Sequence, residues 1–113
     1  MALLNVGCTL DSDERASCLP VSVYGLQVTV TNGLGPSGQC DVTVSAVDGS
    51  YSETLDCQVE LSSCSCVGAM DRPGTYQVKA TRSDGGTAER AVTVGSGECG
   101  VVQASTTLEL PVT

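Results

Sequence analysis

Seven cysteines carry most of the special chemistry in this chain: Cys8, Cys18, Cys40, Cys57, Cys64, Cys66 and Cys99. Thiols at this density serve metal binding, redox catalysis or disulfide bonding. Metal knuckles use paired Cys-x-x-Cys spacings, often with His. Neither the spacing nor any His is present. Redox catalysis calls for a thiolate of lowered pKa beside a base, at a helix N-terminus or in Cys-x-x-Cys, and none of these is visible. The expected role is structural. Cys18, Cys40, Cys57, Cys64, Cys66 and Cys99 are the disulfide candidates, formed outside the cytoplasm in periplasm, at the cell surface or in the medium. No metal and no cofactor are expected. Cys8 precedes all strand-like sequence and is the natural odd thiol. Cys64 and Cys66 face the same way in an extended segment, and both cannot easily bond Cys57. The expectation is Cys57 with Cys64 or Cys66, the other of these with Cys40, and Cys18 with Cys99.

Residues 1–17 read as an N-terminal arm. Met1-Ala-Leu-Leu-Asn-Val6 is short and apolar, and lacks the basic start and longer apolar run of a complete secretory signal. Leu3-Leu4-Asn5-Val6-Gly7-Cys8 resembles the end of a bacterial lipoprotein signal, in which a Cys after a small residue is acylated; Asn5 departs from the usual Leu-like residue. The resemblance implies lipidation of Cys8. Otherwise Cys8 bridges to another chain or stays free. Residues 9–17 are polar and read as a spacer. Asp11, Asp13 and Glu14 superficially resemble a calcium loop, but its glycine and distant Glu are missing.

Other function classes are disfavoured. There is no His base, no Gly-x-Ser-x-Gly and no phosphate loop, so no catalytic residues are expected. Five Lys and Arg against thirteen Asp and Glu give a net charge of −8, which opposes nucleic acid and anionic membrane. No segment is long enough to span a membrane. Contact with one is expected only through acylation of Cys8.

The elements that position the cysteines show in the pattern from Cys18 onward. Val21–Thr31, Cys40–Val47, Ser50–Leu61, Thr75–Thr81, Thr87–Val94 and Cys99–Leu110 alternate apolar and polar residues, as half-buried strands do. Asp48-Gly49 and Ser83–Gly86 are hairpin turns. Leu55, Cys57, Val59 and Leu61 share one face, Tyr76, Val78 and Ala80 another, and Arg90 lies near the edge of the core. Ser62–Asp71 reads as irregular. Six or seven strands with no helical period predict an all-β, antiparallel Greek-key sandwich, Ig-like or prealbumin-like, as a single domain over residues 18–113. The core is thin, because Phe and Trp are absent and there are only three Tyr. Val, Leu and Ala bury less apolar area per residue than a ring, which leaves stability to the disulfides.

Gly68-Ala-Met-Asp-Arg-Pro-Gly-Thr-Tyr-Gln-Val78, followed by Glu98-Cys99-Gly100-Val101, resembles a pattern in bacterial envelope lipoproteins that carry a carboxypeptidase-regulatory-like or transthyretin-like sandwich. The Asp48-Gly49-Ser50-Tyr51 hairpin also fits. Gly100 stands where that family often has His, so any polar role of the His is absent. The resemblance implies a non-catalytic fold. Tyr76 is expected in the core rather than against a ligand. The expected function is a cell-envelope or extracellular binding or adhesion module. The alternative is a structural subunit of an extracellular filament, sheath or particle coat, assembled through its arm or sheet edges. A protein partner or self-assembly is expected in either case.

Overall fold

The alternating runs form two packed sheets in the computed structural model, which describes residues 22–112. Among these residues there are nine strands and no helix. They are β1 (Tyr24–Thr31), β2 (Val42–Asp48), β3 (Tyr51–Thr54), β4 (Asp56–Glu60), β5 (Ser63–Met70), β6 (Gly74–Arg82), β7 (Thr87–Gly97), β8 (Gly100–Val102) and β9 (Ala104–Glu109). One sheet has the order β9-β1-β5-β4, the other β3-β2-β6-β7-β8. Tight hairpins within a sheet alternate with crossings between sheets, so β1–β7 follow the B, C, C′, D, E, F, G order of an immunoglobulin-type Greek key.

The inward residues of both sheets meet in one core. Leu26, Val28 and Val30 of β1 and Cys64 and Cys66 of β5 face Val44, Ala46, Tyr76, Val78, Ala80, Val92 and Val94 of the other sheet, with Leu55, Leu108 and Leu110 closing it. Tyr76 is the largest fully buried side chain.

Four expectations need correction. The strands number nine rather than six or seven, because two runs each change sheets and the Ser62–Asp71 stretch supplies a further strand. Ser50–Leu61 breaks at Leu55, whose amide donates to the Val44 carbonyl (2.8 Å) between β3 and β4. Cys99–Leu110 breaks at Gln103, so Val102 is exposed and out of phase with Ala104, Leu108 and Leu110. The sandwich is also not wholly antiparallel: β9 runs parallel to β1, Ala104 opposite Leu26 and Glu109 opposite Thr31. Ser62–Asp71 is not irregular, since it contains β5, paired on both sides. Finally, Leu61 does not share the inward face of Leu55. It sits at a turn and is 95% exposed.

Disulfides fasten this frame. Cys57 and Cys66 lie directly opposite on β4 and β5 and are bonded. Cys40, just before β2, is bonded to Cys64 of β5, joining the two sheets with Cα atoms 5.8 Å apart. Cys99 is disulfide-bonded as well. Cys8 and Cys18, and the expected Cys18–Cys99 pairing and calcium-like Asp11, Asp13 and Glu14, lie outside the described residues. These bridges are those of an oxidising, extracytoplasmic environment.

Candidate functional site

The strand directions gather four segments at one end of the sandwich. β1 ends there and β2 begins, so the loop 32–41 lies there. The β4–β5 tip, the β6–β7 turn at Ser83–Gly86 and the residues after β9 lie there too. In an immunoglobulin-type sandwich this is the end that carries the B–C and F–G loops, and loops displayed on a rigid scaffold are where binding concentrates.

These loops are braced rather than loose. Leu34 bridges to Cys40, the Gly35 amide donates to the Gln39 carbonyl (2.8 Å), and the Asp41 amide to that of Gly33 (2.8 Å). The Cys40–Cys64 bond pins the loop's base to β5. Arg82 ties the loop to the turn. It follows Tyr76, Val78 and Ala80 at inward spacing and is 6% exposed. Its Nη1 donates to the Asn32 carbonyl (2.7 Å) and its Nε to Asp84 Oδ1 (2.8 Å). Asp84 also accepts the Gly86 amide (3.0 Å). The Arg82 hydrogen bond and then the Gly86 amide hold the Asp84 carboxyl below its ordinary pKa, because both favour the charged form. Ser83 donates its hydroxyl to Asp41 Oδ2, and its amide reaches the Asp41 carbonyl (3.3 Å). Asn32 Nδ2 donates to the Leu110 carbonyl (2.9 Å), bringing in the segment after β9. An open depression of about 420 Å³ lies between loop and turn, lined by Leu34, Gly35, Pro36, Asp41, Arg82, Ser83 and Asp84.

The opposite end is built for rigidity. Tyr76 donates its hydroxyl to the Arg72 carbonyl (2.7 Å) and accepts from Arg72 Nη1 (3.0 Å). A Tyr near the start of the F-position strand, bonded to backbone a few residues upstream, is the tyrosine corner of such sandwiches. The Arg72 guanidinium also lies over the Tyr51 ring, 3.7 Å from its centroid, and pairs with Asp48 Oδ2 at 3.1 Å. Glu53 accepts the Tyr51 hydroxyl and the amide of Ala69 (3.1 Å), linking β3 to β5. Its hydrogen bond raises the Tyr51 pKa above 10.0. The Tyr51 and Tyr76 hydroxyls, Asp48 Oδ2, Glu53 and Arg72 Nη1 are all engaged within the cluster, so its polar groups serve mainly to hold this end together.

Among the described residues no group of three or more His, Cys, Asp or Glu is placed to hold a metal ion. Compared with protein-family models, curated proteins and solved structures, the chain matches none. The site therefore rests on geometry. Of the sequence-predicted special residues, Cys40 and Cys64 fasten this site rather than form its working surface. Leu34, Pro36, Asp41, Leu61 and Asp84 were not singled out as functional. One signal did exist: Arg82 stands in the inward phase of β6, two residues before Asp84, where an unpaired charge is costly.

Proposed function

We propose that this domain is a non-catalytic extracytoplasmic binding module that engages a protein partner through its loop-bearing end. The observation that carries the reading is the bracing of loop 32–41 and turn 83–86 into one rigid surface by Arg82, Asp41 and the Cys40–Cys64 bond. Preorganised loops bind without a large ordering cost. Self-assembly is disfavoured at three of the four sheet edges; the fourth, β9, has 6 residues and Glu109 as its one charge. The edge strands β3 and β8 have 4 and 3 residues, and edge β4 carries Asp56 and Glu60 at its two ends. Short and charged edges resist strand addition.

The test places arginine on exposed loop positions, Ser37→Arg with Gln39→Arg, and compares Thr43→Arg on the outer sheet face. With the wild-type domain as bait on the native envelope fraction, the loop variant loses the wild type's partner by about tenfold or more, as hot-spot disruption does. The face variant retains it. Retention by the loop variant refutes the reading.

The same reading places the domain in the cell envelope as a lipoprotein, supported by Gly7-Cys8 and by the pattern from Gly68 to Val101. Mass spectrometry of the native protein then shows an acylated Cys8 as the first residue. A mature N-terminus at Met1 rules the anchor out.

A further inference from the structure

The β4–β5 tip at the loop-bearing end holds a residue that its backbone disfavours. β4 and β5 are joined by Leu61-Ser62 alone, with Glu60 opposite Ser63. Leu61 has φ of 59°, while Ser62 is not among the residues with positive φ. That is the first central position of a type II′ turn, where glycine is the favoured residue. A bulky side chain in the left-handed region is a conformational outlier. The other non-glycine residues with positive φ each have local partners. Asn32 bonds to Leu110 and Arg82, Ala69 to Glu53, and Asp71 to Val23. Leu61 is 95% exposed, so no packing within the domain offsets its strain. An exposed Leu alone is ordinary. An exposed Leu held in strain at the end that carries the loops is a candidate for function.

Its surroundings define the occupant. Glu60 adjoins it, and Asp41, Asp84 and Glu109 lie at the same end. Of the cations nearby among the described residues, Arg82 is buried and paired with Asp84, and the exposed Arg90 lines a depression shared with Glu89 and Glu109. Pro36 is exposed, and Val112 is 82% exposed, at that end. The surface is thus apolar points among carboxylates. A second copy, with a net charge of −8, would meet it with like charge. We infer that Leu61 is the anchor that inserts into an apolar socket on a partner protein, and that the rim of this socket is basic. This rests on the binding-module reading and adds the chemistry of the partner.

The probe is a displayed library of random peptides, panned on the folded, disulfide-intact domain. Selected peptides are expected to combine apolar side chains with Lys or Arg, and to bind more weakly as salt rises. Leu61→Gly weakens their binding about tenfold or more, while its Tm equals or exceeds the wild type because the strain is relieved. A purely structural Leu61 would give the reverse, a lower Tm and unchanged binding, and would overturn the inference. Peptides without basic residues would overturn the basic rim, and Leu61-dependent dimers in sedimentation would make the occupant a second copy. Ser37→Arg with Gln39→Arg separates the two levels. If it abolishes peptide binding and Leu61→Gly does not, the anchor fails and the loop surface stands. If neither variant has an effect, both fail.

Discussion

Removing the Cys40–Cys64 bridge by replacing both residues with alanine lowers the Tm by roughly 15–25 °C, and removing Cys57–Cys66 costs less. The bridges close chain separations of 24 and 9 residues. Constraint of the unfolded chain then contributes about 3.5 and about 2.6 kcal/mol respectively, and each kcal/mol is worth about 4–8 °C in a domain of this size. Geometry widens the difference. Cys57 and Cys66 are already neighbours across a hydrogen-bonded ladder, so their bond repeats a constraint that the sheet supplies. Cys40 and Cys64 join the loop before β2 to the opposite sheet, and no ladder does that. With both bridges gone the loss is about 6 kcal/mol against a typical total of about 5–15 kcal/mol, which leaves the domain largely unfolded at 37 °C. Thermal melts of the two double variants, with and without strong reductant, decide the matter. An unchanged melt in reductant, or a larger loss from Cys57–Cys66, would contradict this account.

The all-β sandwich was legible because its central strands alternate cleanly. Val28 and Val30, Val44 and Ala46, and Tyr76, Val78 and Ala80 all point inward as their spacing predicts. β5 was hidden because its inward positions are Cys64, Cys66 and Gly68, which carry a weak strand signal. Gly68 is small for a packing reason: a Cβ there would stand 2.8 Å from Leu55 Cγ. The sheet change at Leu55 was hidden for a different cause. Tyr51, Glu53, Leu55 and Cys57 keep period two through the break, so alternation gives no sign that the chain crosses the core. At Gln103 the period does slip, but the uniform Val and Ala character of Val101, Val102 and Ala104 masks it. The parallel β9–β1 pair is a long-range choice that no local pattern encodes.

The candidate site was less legible than the fold. Asn32–Gly38 and Ser83–Gly86 are recognisable as turns from their Gly, Pro, Ser and Asp content. That they meet depends on strand order, which places residues about fifty apart beside each other, as in the Arg82–Asn32 contact. Leu61 misled most. Alternation assigns it inward with Leu55, and Leu61-Ser62 has none of the usual hairpin-turn residues. The same mismatch between residue and backbone makes it the most informative surface position.

Tyr76→Ala lowers the Tm by roughly 15–30 °C, whereas Tyr76→Phe lowers it by only several degrees. Tyr76 is 0% exposed and has the largest buried side chain in a core otherwise made of Leu, Val, Ala and Cys. Truncating a buried ring to alanine costs about 3–5 kcal/mol, which is a large share of the stability such a thin core supports. The hydroxyl is a separate contribution. It donates to the Arg72 carbonyl and accepts from the Arg72 guanidinium. Phenylalanine keeps the ring and removes both bonds, which costs about 1–2 kcal/mol where a carbonyl loses its donor. The guanidinium keeps Asp48 and the Tyr51 face, so its charge is not stranded and the penalty stays at this level. Urea melts of the two variants separate packing from the corner hydrogen bond. Equal losses from Phe and Ala would mean that the hydroxyl network, and not the ring, holds this end of the sandwich. No loss from Phe would mean that water replaces the corner hydrogen bond without cost, and that the rigidity of this end comes from the Arg72–Tyr51–Asp48 stack.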